Sequence, residues 1–99
     1  MNTPMFKTRM NSTTGEPMRI YVGPIGVGMH FIWEPDNPRA WTHVVVIRID
    51  AVPHDERRIW TKTLNGNRFN PVDQETWNEE GRFREACVPC DERGVRTSQ

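Results

Sequence analysis

Apolar and polar residues alternate through four short stretches of this chain. A period of two puts every second side chain on the same face of a strand. "MRIYV" sets Met18, Ile20 and Val22 on one face. "VGMHFIW" sets Val27, Met29, Phe31 and Trp33 opposite Gly28, His30 and Ile32. "WTHVVVIRI", Trp41 to Ile49, is the strongest stretch. Val44 and Val46 make its centre apolar on both faces, which predicts a central strand. "RRIWTKTL", Arg57 to Leu64, is β-branched and aromatic and predicts the fourth strand.

The segments between them read as turns. "GPIG", "EPDNPRA" and "DAVPHDE" carry the prolines and glycines. Asn65-Gly66 predicts a two-residue hairpin flanked by Leu64 and Phe69, since both central positions of such a turn favour positive φ. Asn70, Pro71 and Asp73 then read as a helix start: a cap, a proline at the first position and an acid in the first turn. Gly81 limits that helix to short turns, with Val72, Trp77 and Phe83 facing the sheet.

The fold class expected is mainly β, a β-rich α+β domain. It would be a small twisted antiparallel sheet or a five-stranded barrel, with a short helical element near residues 71–86. Residues 1–17 are polar without an apolar period and read as a disordered tail. Residues 18–88 read as the single domain, and 89–99 as a C-terminal tail. The strand run followed by "RIWTKTL", "TWNEEGRF" and an apolar end resembles the small barrels of the Src-homology and Tudor kind, as found in phage and prophage proteins. That resemblance spans residues 26–88. It lacks the acidic loop and paired tyrosines of peptide-binding Src-homology domains, so it implies a scaffold and no particular ligand.

Charge adds one asymmetry. The 13 basic and 13 acidic residues cancel, which predicts no general attraction to nucleic acid. Residues 39–70, however, carry six basic against three acidic residues, and residues 71–92 carry two against seven. Either one face of the domain is basic and another acidic, or the two segments pack side by side and compensate each other. No stretch is long and apolar enough to span a membrane, and the first twenty residues lack the apolar core of a signal peptide. Cytoplasmic residence with reduced thiols is the default expectation.

Candidate chemistry is sparse. "GPIGVG" precedes a strand rather than a helix, so it reads as a tight turn and not a phosphate cradle. "HDE", His54 to Glu56, holds three proton-handling groups, but successive residues in a turn do not converge on one atom. Cys87 and Cys90 form a C-x-x-C pair with no second pair to complete a zinc site. Asp91 and Glu92 beside them oppose a thiolate. They are the only metal-binding candidates, and no cofactor is expected. Trp33 and Trp41 read as core. Trp60, flanked by Arg57, Arg58 and Lys62, reads as either core or an exposed binding patch.

The function expected is that of a non-catalytic binding or inhibitor module, of phage or mobile-element type. It would meet a protein partner at an exposed sheet edge or at the Trp60, Arg57, Arg58 patch. The alternative is nucleic-acid binding through Arg57, Arg58, Trp60 and Lys62, and the third reading is minor metal binding through Cys87 and Cys90. Neither an enzyme nor a membrane protein is expected, and the chain would be a monomer or a homodimer.

Overall fold

The computed structural model describes residues 5–11, 14–34, 36–66 and 73–97. In chain order the elements are β1 (Phe6–Met10), β2 (Pro17–Tyr21), β3 (His30–Trp33), β4 (Thr42–Asp50), β5 (Arg58–Gly66) and β6 (Gln74–Asn78). A π-helical turn (Glu79–Phe83), the short helix α1 (Arg84–Ala86) and β7 (Cys87–Cys90) complete them. The last five strands form one antiparallel sheet in the order β6-β5-β4-β3-β7, and β1 and β2 form a separate hairpin.

The valine-rich stretch is therefore the middle strand, as its two-sided apolar pattern predicts. From β3 to β6 the chain meanders between neighbours. It then leaves the sheet, crosses through residues 79–86, and returns at the opposite edge as β7 beside β3.

One face of the sheet makes the core. Phe31, Trp33, Val44, Val46, Ile59, Trp77 and Cys87 come from the strands, Phe83 from the crossover, and Tyr21 from the hairpin. Phe83 lies edge-on to Phe31 at 4.8 Å and to Trp77 at 5.8 Å. The β4–β5 ladder shifts register between His43 and Val44 and between Val46 and Arg48. Such irregularities bend a strand and increase its twist. The sheet curls enough that Trp33 on β3 and Trp77 on β6 meet edge-on at 5.1 Å.

Even so, no barrel closes, which corrects the barrel alternative and the barrel that the resemblance implied. Closure would need a β6–β7 ladder, and no such ladder exists among the described residues. The outer edge of β7 is taken instead by the chain's own continuation. Arg96 bridges back to Cys90, and Thr97 N–H donates to the Pro89 carbonyl at 3.2 Å.

Three further differences have local causes. Asn65 and Gly66 do not form a two-residue turn; they extend β5 and pair with His43 and Thr42. Glycine is needed at 66 because a Cβ there would sit 2.8 Å from the Trp41 carbonyl oxygen. The helix start read at Asn70 and Pro71 lies outside the described residues, as do Val72 and Phe69. Gln74–Asn78 is a strand, and the helical segment begins only at Glu79. Finally, β1 falls within residues 1–17, the stretch read as a tail. Its burial rests on Phe6, which packs against Tyr21 at 5.7 Å, too little to show as an apolar period.

The crossover is anchored by a buried cation. Arg84, 9% exposed, donates to the Tyr21 carbonyl at 3.0 Å and to the Gly23 carbonyl at 2.9 Å. It also donates to Glu79 at 2.7 Å and to Glu80 at 2.9 Å. Arg57 holds the other oxygen of Glu79 at 2.5 Å. Glu56 accepts from the backbone N–H groups of Glu80 and Gly81, at 3.1 and 3.0 Å. The first turn of the crossover is thus fastened to the loop before β5, and its end to the loop before β3.

Candidate binding face of the sheet

The face opposite the core holds the predicted patch, in part. On β5, Ile59 and Thr61 point inward and are buried, so Arg58, Trp60 and Lys62 point outward together. Across the ladders, Arg58 pairs with Asp50 and Asn78, and Trp60 with Arg48 and Thr76. Lys62 pairs with Val45 and Gln74. Arg57 precedes the strand and turns away to Glu79, so it belongs to the crossover anchor.

Trp60 is the centre of the face. Its indole N–H donates to Asp50 Oδ2 at 2.8 Å. Arg48 Nε donates to the other oxygen of Asp50 at 2.6 Å, and the Arg48 guanidinium lies 5.7 Å from the indole centroid. The ring is half-buried and fixed from two sides, outside the core. These hydrogen bonds, that from Arg48 before that from Trp60, hold the Asp50 carboxyl below its ordinary range. Arg58 donates to Asp55 at 3.1 Å and to the Glu56 carbonyl at 3.0 Å. The outward cations are therefore interleaved with carboxylates, and Lys62 is the exposed ammonium between them. Arg48 and Asp50 escaped the sequence reading because they reach Trp60 only through the β4–β5 register, and that register contains a shift.

Farther along the same face, His30 Nδ1 and His43 Nε2 share a hydrogen bond of 2.9 Å. Burial first, then the neighbouring His30, pushes His43 below the usual imidazole value, and Asp91 pulls it back. The turn from Asp91 to Arg96 covers this pair, with Gly94 against the His43 ring.

The cysteine pair is separated by the strand that carries it. Positions 87 and 90 lie three apart, so their side chains leave opposite faces of β7. Cys87 pairs with Trp33 and enters the core, whereas Cys90 pairs with His30 on the outer side. Two sulfurs on opposite faces of one strand neither chelate one ion nor bond to each other. Burial raises both thiols, Cys87 well above its ordinary value and Cys90 to about 12. Among the described residues, no group of three or more His, Cys, Asp or Glu is placed to hold a metal.

The other motifs have structural uses. "GPIGVG" is a loop whose Gly28 takes φ +91° before β3 begins. In "HDE", Asp55 holds Arg58 and Glu56 holds the crossover, while His54 is exposed at φ +65°. No helix among the described residues is long and apolar enough to cross a membrane. What the architecture defines is a small, compact α+β domain with an ordered polar face. Comparison with protein families, with curated proteins and with solved structures finds no match to the chain.

Proposed function

We propose that the protein is a non-catalytic binding module that engages a protein partner through the outer face of β4, β5 and β6 around Trp60. The carrying observation is the fixed Trp60, held by Asp50 at 2.8 Å with Arg48 alongside. Trp and Arg are both enriched among the few residues that carry most of the binding energy of protein interfaces, and a rigid amphipathic ring loses little conformational entropy on contact. The charges of the face favour a protein over a nucleic acid. Arg48, Arg58 and Lys62 alternate with Asp50 and Asp55, so a polyanion would meet carboxylates among its cations.

The test compares immobilised wild type with Trp60→Ala and Lys62→Glu in affinity capture from a lysate of the source cell. The reading expects one protein, captured by wild type and lost with either variant, whose retention depends weakly on salt. Equal capture by Trp60→Ala would refute the patch. Retention that falls steeply with salt and is competed by added nucleic acid would assign the face to nucleic acid instead.

A further inference from the structure

The two sheet edges are treated differently. The edge of β7 carries Pro89, which has no N–H to offer, and is covered by the returning C-terminal segment. The edge of β6 has neither proline nor lysine, and no backbone hydrogen bond to its outer side exists among the described residues.

The register shows which groups that edge offers. Thr63 N–H donates to the Asp73 carbonyl at 2.7 Å, and Glu79 N–H to the Arg57 carbonyl at 3.0 Å. Those pairs fit the β5–β6 register, in which Thr61 faces Glu75 and Ile59 faces Trp77. The odd-numbered residues of β6 therefore turn their backbone groups toward β5. Gln74, Thr76 and Asn78 turn theirs outward. Their side chains are exposed on the polar face.

From this pattern we infer that β6 pairs antiparallel with β6 of a second copy of the chain, about a two-fold axis at Thr76. The arrangement is self-complementary. Thr76 meets its own copy in a hydrogen-bonded pair, and Gln74 meets Asn78 on either side, giving about six backbone hydrogen bonds across the axis. Within β6 no like charges face one another; Asp73 and Glu79, one residue beyond its two ends, come opposite each other and limit the pairing to these five residues. On the inner side Glu75 comes opposite Trp77 of the second copy. Arg82 stacks on Trp77 at 4.5 Å and lies 3.6 Å from its own Glu75, so each Glu75 approaches a second guanidinium across the axis. The outer faces of the two copies lie on the same side of a ten-stranded sheet. Since Trp60 is level with Thr76, the two indoles stand roughly 14 Å apart, three strand spacings. The inference concerns the edge of β6, so it stands apart from what the outer face binds.

A five-residue edge buries little area, so the dimer is weak and forms at high concentration. Sedimentation equilibrium over a wide concentration range reads the assembly. Amide hydrogen exchange at 74, 76 and 78 reads its location. Thr76→Pro removes an N–H that β5 does not use and places a ring on the axis. Thr76→Lys keeps the backbone intact and sets like charges face to face. The expected result is a concentration-dependent dimer in wild type, with exchange at those three amides slowed at least about tenfold as it forms. Both variants should remain folded monomers. If Thr76→Pro fails to fold, Thr76→Lys and the exchange data decide. A wild type that stays monomeric at about 1 mM, a dimer unaffected by Thr76→Lys, or protection at 74, 76 and 78 without any dimer would each overturn the inference.

Discussion

Replacing Arg84 by Met keeps most of the side-chain volume and removes the charge, so it isolates what the guanidinium does. Arg84 and Glu79 each keep 9% of their side-chain surface in water and lie 2.7 Å apart. Without Arg84, the buried Glu79 carboxylate retains Arg57, which is itself 42% exposed and held from one side only. Breaking one side of a buried pair costs about 3–5 kcal/mol, because the remaining charge stays desolvated. The buried Tyr21 carbonyl loses its donor as well, which costs about 1–3 kcal/mol, and the part-buried Gly23 carbonyl loses one at a smaller cost. These costs overlap, since one side chain serves all the contacts, and a total loss of about 4 kcal/mol is expected.

For a domain of this size that lowers the thermal midpoint by roughly 20 °C. Urea unfolding followed by tryptophan fluorescence measures the loss directly. A second variant makes the reasoning strict. Glu79→Gln removes the stranded charge, so adding it to Arg84→Met should recover about 1–3 kcal/mol relative to simple addition. A loss below about 1 kcal/mol for Arg84→Met, or strict additivity of the two variants, would refute the anchor.

Other expectations follow from the same geometry. Burial pushes the Glu79 carboxyl up, but the hydrogen bonds from Arg57 and Arg84 outweigh it and leave it below its ordinary 4.5. Its contribution is complete above pH 4.5 and is lost as pH falls through the folded-state value, so Glu79→Gln should flatten the acid limb of a stability–pH curve. His43 is likewise held below 6.5, so the fold should lose stability as pH falls from 6.5 through the folded-state value. An NMR titration of the ring at or above 6.5 would contradict this. His54 follows Pro53 in a turn closed by Asp55 N–H to the Val52 carbonyl at 3.1 Å, and its φ of +65° suits glycine. His54→Gly should therefore stabilise by about 1 kcal/mol, and an unchanged melting midpoint would count against the strain. Cys87 and Cys90 should resist thiol reagents until the chain unfolds, and a mild oxidant should leave the native mass unchanged. An intramolecular disulfide in folded protein would show that β7 does not hold its register.

Much of the sheet was legible because its signals are local. Val44 and Val46 mark the centre of a sheet by their own pattern, and they lie in its middle strand. Trp33 and Phe31 declare their inner face by alternation with Ile32. What stayed hidden depends on distant pairing. Asn65-Gly66 carries a turn signal, but the glycine is there because the backbone of residues 41 and 42 passes close by, a contact with a segment more than twenty residues upstream. Arg84 looks like any surface arginine in "GRFREAC", and only the fold brings it to carbonyls 61 and 63 residues away. The patch was half legible for the same reason. Alternation along one strand joins Arg58, Trp60 and Lys62, whereas Arg48 and Asp50 join them only across a shifted ladder.

The C-x-x-C spacing shows how the carrier element decides the meaning of a motif. On a helix or in a loop, positions three apart can converge on one ion or one bond. On β7 the same spacing sends one thiol into the core beside Trp33 and the other to His30. The crossover that delivers this strand also determines the open edge. A further hairpin after Asn78 would have laid the next strand along β6 and used the outward groups of Gln74, Thr76 and Asn78. Arg84 and Glu79 instead fix the chain on a path across the core, and the last strand pairs with β3. The buried ion pair that stabilises the domain therefore also leaves the outer side of β6 without a partner strand among the described residues. If Arg84→Met loosens the crossover while the sheet survives, the edge pairing proposed for β6 should persist, because its hydrogen bonds come from the strand and not from the anchor.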